Sequence, residues 1–184
     1  MNHVFRAGPG SVVPDGTRVS PFLNPTDSAS GLPAGMFEGA SLAIGALAPG
    51  QRSRIHLHPL VTMVTWVIEG RLQIRMKDAG APAPYLLSLE PEDAALTHPG
   101  TVVQLINPGE TPCRVLYVCS PGYVWLQGAD GRMVYDDAQV FDDDWYALAA
   151  RGYPLPAAAD IEALRSERRR AIAMLARQKR DALE

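Results

Sequence analysis

The sequence has few cysteines, no large excess of charge of either sign and no long apolar segment. Its 184 residues include 2 Cys, and 17 Lys and Arg stand against 20 Asp and Glu, giving a formal net charge of −3. Without a positive overall field to attract phosphates, nucleic acid is not an expected partner. The longest apolar-rich run, Leu60 to Ile68, is far shorter than the ~20 residues of a membrane helix, so we expect no membrane partner.

The two cysteines, Cys113 and Cys119, lie six positions apart on one predicted strand. They face the same side but are separated by about 20 Å along an extended chain, so they cannot bridge each other. A reduced cytoplasmic protein is therefore the expectation. The N-terminal residues, MNHVFRAGPG, carry no apolar core after a basic start, and we do not interpret them as a signal peptide.

Several catalytic and ligand-binding patterns are missing. Gly8-Pro9-Gly10 precedes no strand–helix unit, so no phosphate-binding loop is indicated, and no serine lies in a Gly-x-Ser-x-Gly elbow. The aspartates at 136–137 and 142–144 fit no calcium-loop spacing, and we interpret them as solvated acids and helix caps. The basic stretch SERRRAIAMLARQKR lacks interleaved aromatics and is interpreted as a solvated helical face.

Turn signals and β-prone runs dominate the first two thirds of the chain. Residues 1–35 are rich in Pro, Gly, Asn and Ser, which predicts an extended arm broken by turns. Eight short strand-like runs follow, with regular spacing and no helical period between them: ASLAIGAL, RSRIHLH, VTMVTWVI, RLQIRMK, YLLSLE, DAALTH, TVVQLI and CRVLYVC. This pattern predicts an all-β sandwich or barrel.

The remaining residues predict a hairpin and two helices. A last hairpin is expected around Asp130-Gly131, and FDDDWYALAAR predicts a short helix capped by its own aspartates. A long helix rich in Ala, Leu, Arg and Glu is expected from Ala157 to Glu184. We divide the chain into an arm (1–35), a β-barrel (36–136) and a helical extension (137–184).

His56 and His58 are the residues from which a function can be argued. On a strand, residues i and i+2 share a face, so both imidazoles should point into whatever that face covers. Two neutral imidazoles form half of a transition-metal site. The alternative is that both histidines lie on the polar face of a half-exposed strand.

The surroundings of this pair resemble the first signature of the cupin family. Gly50, His56, His58 and Gly70 all fall in its register, and EPEDAALTHPGTVVQLINPG resembles the second signature through Gly100 and Asn107. The segment HLHPLVTMVTWVIEG also resembles the pirin branch. The resemblance covers roughly Ser41 to Ser120. It implies a cupin-like double-stranded β-helix (jelly-roll) barrel with a pocket between two sheets and often a divalent transition metal such as Fe, Zn, Ni or Mn.

The chain departs from the signatures at two metal-ligand positions. Thr62 or Met63 occupies the place of the family's glutamate, and Val103 that of its second-signature histidine, although one anchor gives Gln104 instead. His56 and His58 would then be the metal ligands that remain. Gln104 and His98 are further candidate donors, whereas Met63 is better interpreted as a packing residue.

The expected substrate pocket follows from strand alternation and from the family geometry. Trp66 faces the opposite side from Met63, and we expect it in the core or at a subunit interface. Leu72, Ile74 and Met76 should face the barrel interior rather than Gln73 and Arg75. The predicted pocket consists of Thr62, Met63, Thr65, Val67, Val103 and Tyr117.

Two functions are compatible with this pattern. The first is a metal-dependent enzyme that acts on a small organic molecule, since the resemblance implies dioxygenases, isomerases, cyclases and lyases. In an oxidoreductase of this type an iron would bind O₂, and otherwise the ion would polarise a substrate carbonyl. The second is a non-catalytic small-molecule or protein-binding module with a metal-free site. A homodimer is expected in either case, because such barrels expose edge strands.

Overall fold

All eight predicted barrel strands are present in the computed structural model, which describes residues 4–24, 39–128, 130–153 and 155–181. They are β3 (Ser41–Leu47), β4 (Ile55–Leu57), β5 (Thr62–Glu69), β6 (Leu72–Lys77), β7 (Tyr85–Leu89), β8 (Ala94–Thr97), β9 (Val102–Ile106) and β10 (Cys113–Ser120). Shorter strands flank them: β1 (Ser11–Val12), β2 (Arg18–Leu23), β11 (Trp125–Gln127), β12 (Met133–Asp136) and β13 (Gln139–Phe141). The all-β prediction is confirmed.

The strands form two large antiparallel sheets. One has the order β1-β2-β3-β10-β5-β8 and the other the order β13-β4-β9-β6-β7, while β11 and β12 form a separate hairpin. Residues from both large sheets belong to one buried apolar cluster, so the sheets enclose a common core between them. Strands β1 and β2 of the predicted arm extend the first sheet, and β13 from beyond residue 136 extends the second.

Alternation of side chains along each strand determines which residues enter the core. Leu72, Ile74 and Met76 are at most 1% exposed, whereas Gln73 and Arg75 on the same strand face outward, as predicted. Met63 is buried on the inner face of β5, and Trp66 faces outward with 39% exposure. The apolar period of two therefore places the barrel interior correctly from the sequence.

The turn between β5 and β6 requires the glycine of the family signature. Gly70 has φ of 79°, a left-handed conformation that side chains rarely adopt. A Cβ atom there would lie 2.6 Å from the carbonyl oxygen of Pro112. The close approach of the neighbouring loop explains why the strand run must end in glycine at this position.

Two helices follow the barrel strands. Helix α1 (Trp145–Ala150) begins at Asp144, whose carboxylate accepts from the backbone N–H of Ala147 at 2.8 Å, as the sequence predicts for a capping aspartate. It packs Trp145 and Leu148 against the outer face of β4 and β9. No helix among the described residues is long and apolar enough to cross a membrane.

The long helix α2 (Ala158–Asp181) packs against the hairpin of β11 and β12 rather than against the main sheets. Ala171 and Leu175 contact Val124 and Leu126 in a small buried cluster. The apolar face is narrow because the helix carries many arginines and glutamates, so most of its surface remains exposed. The hairpin that α2 covers also forms one wall of the cavity described next.

Candidate ligand-binding cavity

A cavity of about 130 Å³ lies between the β1–β2 segment, the inner face of the first sheet and the β11–β12 hairpin. Most of its walls are apolar. Its ionisable lining side chains are Asp15, His56, His58, Tyr117, Cys119, Tyr123 and Asp136, and neutral polar groups come from Ser11, Thr17, Asn24, Ser41 and Trp125. A mostly apolar cavity with a few convergent polar groups is typical of a small-molecule site.

His56 and His58 both face this cavity. They are 3% and 6% exposed, and their ring centroids are 5.2 Å apart with an interplanar angle of 78°. His56 lies between Val140 on β13 and Val103 on β9 in one cross-strand row of the second sheet. The i, i+2 spacing predicted that both histidines share one face, and the structure shows that this face borders an enclosed space.

The ring of His56 is oriented by its own strand and by the arm. Its Nδ1 lies 3.0 Å from the carbonyl oxygen of Arg54, so this nitrogen carries the proton and donates it. The carboxylate of Asp15 lies 3.8 Å from the same nitrogen, and the Asp15 carbonyl accepts from the backbone N–H of Arg54 at 2.6 Å. The Nε2 atom of the neutral ring therefore carries no proton and can accept a hydrogen bond.

His58 has the opposite arrangement of ring nitrogens. Its Nδ1 is buried without a hydrogen-bond partner, and the ring bonds the backbone of Asp137, which leaves Nε2 as the donor. Burial, and secondarily the nearby His56, lower the pKa of His58 to about 3, against a small opposing effect of the Asp137 bond. The ring is therefore neutral at physiological pH, with an unpartnered acceptor at Nδ1.

A carboxyl–phenol pair lines the cavity next to His58. The Tyr123 hydroxyl donates a short hydrogen bond to Asp136 Oδ1, which also accepts from the backbone N–H of Ala138 at 2.9 Å. Burial raises the pKa of Asp136 above its ordinary value, and these two hydrogen bonds oppose the rise. Tyr123 also contacts the His58 ring, with centroids 5.7 Å apart. The carboxyl–phenol pair thus adjoins the histidine pair.

Tyr117 and Cys119 form the floor of the cavity on β10. The Tyr117 side chain is 7% exposed and its hydroxyl has no hydrogen-bond partner. Burial raises the pKa of Tyr117 well above 10 and that of Cys119 to about 12. Both side chains are therefore protonated at neutral pH, and the phenol offers a free hydroxyl group.

Only part of the predicted pocket lines the cavity. Met63 and Tyr117 do. Thr65, Val67 and Val103 point inward, but each is at most 1% exposed within the packed core and does not reach the cavity. Thr62 lies on the outward face of β5 with Val64 and Trp66 and does not line the cavity. Its assignment to the pocket was wrong, because side chains alternate between the two faces and Thr62 precedes the inward-facing Met63.

The two candidate third donors lie elsewhere. Gln104 is on the outer face of β9, where its amide donates to the carbonyl of Ser53 at 2.9 Å and accepts from Trp145 Nε1 at 2.9 Å. His98 is exposed in the turn after β8. Neither side chain lines the cavity, so the structure contradicts the prediction that Gln104 and His98 are donors there. Of the two residues that the signature spacing allowed, Val103 faces the barrel interior and Gln104 faces outward.

The sequence interpretation of the acidic patch was wrong for two of its members. Asp136 lines the cavity, and Asp137 is 1% exposed behind it. Asp137 accepts from Val124 N–H at 2.7 Å, from the Tyr135 hydroxyl at 2.8 Å and from Arg168 of α2. Asp15, Tyr123 and Asp136 were missed because they lie outside the family-like segment, and a prolyl-aspartyl turn or a pair of aspartates is by itself an ordinary surface pattern.

Comparison with known proteins supports the fold. No family model matches the chain, and no curated protein matches it at a significant level. Among solved structures, peruvianin-I, a cysteine peptidase from Thevetia peruviana latex, is similar with 17% identity and a TM-score of 0.54, over 73% of this chain and 72% of that one. A recombinant oxalate oxidase in complex with glycolate matches with 21% identity and a TM-score of 0.52, over 71% and 59%. CapF with the inhibitor 3-isopropenyl-tropolone matches with 12% identity and a TM-score of 0.51, over 77% and 35%.

The chain has the cupin fold. The two facing sheets, the inward histidine pair and the signature glycines agree with the resemblance seen in the sequence. Identities this low establish the architecture and do not transfer an activity.

The resemblance to cupins implies a metal at this site. Metal sites that work in catalysis ordinarily use three protein ligands and an open position. Among the residues that the structure describes, no group of three or more His, Cys, Asp and Glu side chains could hold an ion. Thr62 or Met63 and Val103 occupy the family's other ligand positions, so the residues present do not fit a metal held by the protein alone.

Proposed function

We propose that this cupin binds a small organic molecule in the cavity and that the molecule contacts His56 and His58 directly. One observation carries the proposal. Each imidazole has one ring nitrogen committed to a backbone group, which leaves His56 Nε2 and His58 Nδ1 as acceptors in an enclosed, mostly apolar space. A buried polar atom without a partner is costly, and a bound ligand would satisfy it.

The size of the cavity limits the ligand. An apolar cavity of about 150 Å³ accommodates a benzene molecule, and the space here is about 130 Å³. The ligand, or the part of it that enters, is therefore comparable with a single six-membered ring.

The same groups support proton transfer, and we propose an isomerase- or lyase-type reaction for this site. His56 Nε2 would accept a proton from the ligand, while the Asp15 carboxylate beside Nδ1 stabilises the resulting imidazolium. The protonated His56 would then return the proton to another atom of the ligand, which regenerates the neutral ring. These reactions need no oxidant and no ion, so they use only groups that the cavity contains.

A metal-dependent enzyme is the second candidate, and one observation favours it. Histidines that bind metals commonly donate their other ring N–H to a backbone carbonyl or carboxylate, and His56 does so. In this case a divalent transition metal would need ligands from solvent or substrate to complete its coordination.

Elemental analysis separates the two candidates. The protein, purified without a histidine tag, is incubated with Fe(II), Zn(II), Ni(II) or Mn(II), dialysed and analysed beside a His56→Ala/His58→Ala variant. We expect substoichiometric metal in both proteins. One metal per chain in the wild type and none in the variant would overturn the first proposal and establish the second.

A further inference from the structure

Carboxyl groups line the cavity without a lysine or arginine to match them in the part of the chain that the structure describes. Asp15 and Asp136 line it, and no lysine or arginine does so within the described ranges. Two arginines near its walls are already paired with aspartates, since Arg54 binds Asp142 and Arg168 binds Asp137. His58 adds a neutral acceptor. A carboxylate or phosphate entering this space would meet like charge at low dielectric and no cationic partner.

Independent of the charges, three unpartnered polar atoms on cavity-lining side chains point to a ligand: Tyr117 Oη, His58 Nδ1 and Trp125 Nε1. Tyr117 Oη and His58 Nδ1 belong to side chains that are 7% and 6% exposed, both of which line the cavity, and neither atom has a hydrogen-bond partner. The His58 nitrogen can only accept from a ligand, and the Tyr117 oxygen can also do so. The Trp125 nitrogen can only donate. The cavity thus offers one acceptor, one donor and one hydroxyl that can serve as either, together with two carboxyl groups and no lysine or arginine among the described lining residues.

The apolar walls complete this description. Tyr117, Tyr123 and Trp125 contribute ring surfaces beside the two carboxylates. Aromatic faces attract organic cations through the ring quadrupole, and this attraction is larger when the cation is desolvated. Carboxylates and aromatic faces around one small space are complementary to a protonated amine that is attached to a compact hydrocarbon.

We infer that the cavity recognises an organic cation, a primary amine on an apolar body about the size of one ring, and that it rejects carboxylates of the same shape. This inference rests on the proposed function, because it assigns a ligand class to the same cavity. Asp136 and Asp15 contact the ammonium group, while His58 Nδ1 accepts one of its N–H groups.

Three probes with one skeleton test the inference: benzylamine as the cation, benzyl alcohol as the neutral analogue and benzoate as the anion. Their dissociation constants for the full-length protein are measured by calorimetry or ligand-observed NMR at pH 7.5. Benzylamine is expected to bind at least about tenfold more tightly than benzoate, which corresponds to roughly 1.4 kcal/mol. Equal or tighter binding of benzoate would overturn the inference.

A matched set of variants assigns the preference to the cavity. Asp136→Asn removes the negative charge and keeps an oxygen that accepts from the Tyr123 hydroxyl. Asp15→Asn likewise removes the charge and keeps an oxygen that accepts from the backbone N–H and the hydroxyl of Thr17. Each is expected to weaken benzylamine binding about fivefold or more and benzyl alcohol binding less than about twofold. Glu110→Gln removes one negative charge from an exposed residue outside the cavity and should change neither affinity.

The results distinguish the proposed charge preference from the proposed binding of a small molecule. Binding of benzyl alcohol with no preference for benzylamine would refute the charge assignment and leave the small-molecule cavity intact. Failure of all three probes to bind at millimolar concentration would contradict the proposed function itself. If the Asp136→Asn and Asp15→Asn variants both keep the full preference for benzylamine over benzoate, the ligand's charge is recognised outside this cavity.

Discussion

Arg168 on α2 donates from Nε to both carboxylate oxygens of Asp137, at 3.0 and 3.2 Å, and Asp137 in turn bonds the ring of His58 through its backbone. The Arg168 guanidinium also donates to the carbonyl of Gly122. The C-terminal helix is thus connected through one buried aspartate to a histidine of the cavity. We interpreted the basic stretch of this helix as a solvated face, and the sequence did not indicate that Arg168 pairs with a buried aspartate.

Loss of this pair should be costly. The side chains of Arg168 and Asp137 are 13% and 0% exposed, and removing one partner of a buried ion pair typically costs about 3–5 kcal/mol because the other charge is left uncompensated. Arg168→Leu is therefore expected to lower the free energy of unfolding in urea by about that amount. Arg169→Leu is the matched control, since its pair with Glu162 is exposed and contributes at most about 1 kcal/mol. Equal effects of the two substitutions would contradict the structure of this network.

Neutral His58 predicts a loss of stability in acid. Its folded-state pKa is about 3, against 6.5 for the unperturbed side chain. Below pH 6.5 the unfolded chain binds a proton at this residue that the folded protein does not, so its contribution falls by about 1.4 kcal/mol per pH unit until about pH 3. Urea unfolding between pH 7 and pH 4.5 measures this slope.

Two variants isolate the contribution of His58 from that of the carboxylates. His58→Asn should flatten the pH dependence of stability in this range, whereas His98→Asn, at an exposed site, should leave it unchanged. A wild-type slope that His58→Asn does not reduce would mean that the ring is hydrated and titrates normally.

Gly45 leaves room for the Tyr117 phenol. A Cβ atom on Gly45 would lie 2.3 Å from Tyr117 Cε2 and 2.7 Å from Oη. Gly45→Ala is expected to destabilise the protein by about 1–3 kcal/mol through overpacking, and adding Tyr117→Leu should restore most of that loss. Gly80→Ala, where no atom lies within 4 Å of the added group, is the control. Thermal unfolding of the three variants measures the difference, and a neutral Gly45→Ala would show that the ring does not lie over this glycine.

Cys119 provides a chemical probe of the cavity. Its thiol is 5% exposed, and burial raises its pKa to about 12, so little thiolate is present at pH 8. In a Cys113→Ser background, reaction with a thiol reagent should be much slower than that of a free thiol, and saturating benzyl alcohol should slow it further. Rapid labelling that the ligand does not affect would place Cys119 outside the binding space.

The sequence predicted the barrel well because its strands are short, alternating and separated by strong turn signals. The same alternation placed Met63 inward, Trp66 outward and both histidines on one face. It failed at Thr62 because a single-residue ambiguity in the signature spacing reverses the face of a strand residue. Gln104 was proposed as a donor for the same reason, and its amide is bonded to Ser53 and Trp145 on the outer side instead.

The rest of the site could not be derived from local pattern. Asp15 reaches His56 only because β1 and β2 join the first sheet. Asp136 reaches the cavity only because the β11–β12 hairpin, which packs against α2, forms part of the cavity wall. These are long-range contacts between segments that carry no signature. A pair of aspartates has the same local sequence whether it is solvated or buried against an arginine of a distant helix.

The most direct measurement of the central claim is a two-bond ¹H–¹⁵N NMR spectrum of the histidine side chains, recorded from pH 7.5 to 5 with and without benzyl alcohol. The account predicts a His56 ring protonated at Nδ1 when neutral and a His58 ring protonated at Nε2. It also predicts that His58 stays neutral throughout and that signals of both residues shift when the ligand binds. A His58 ring that gains a proton near pH 6.5, or two rings whose signals ignore the ligand, would contradict the account.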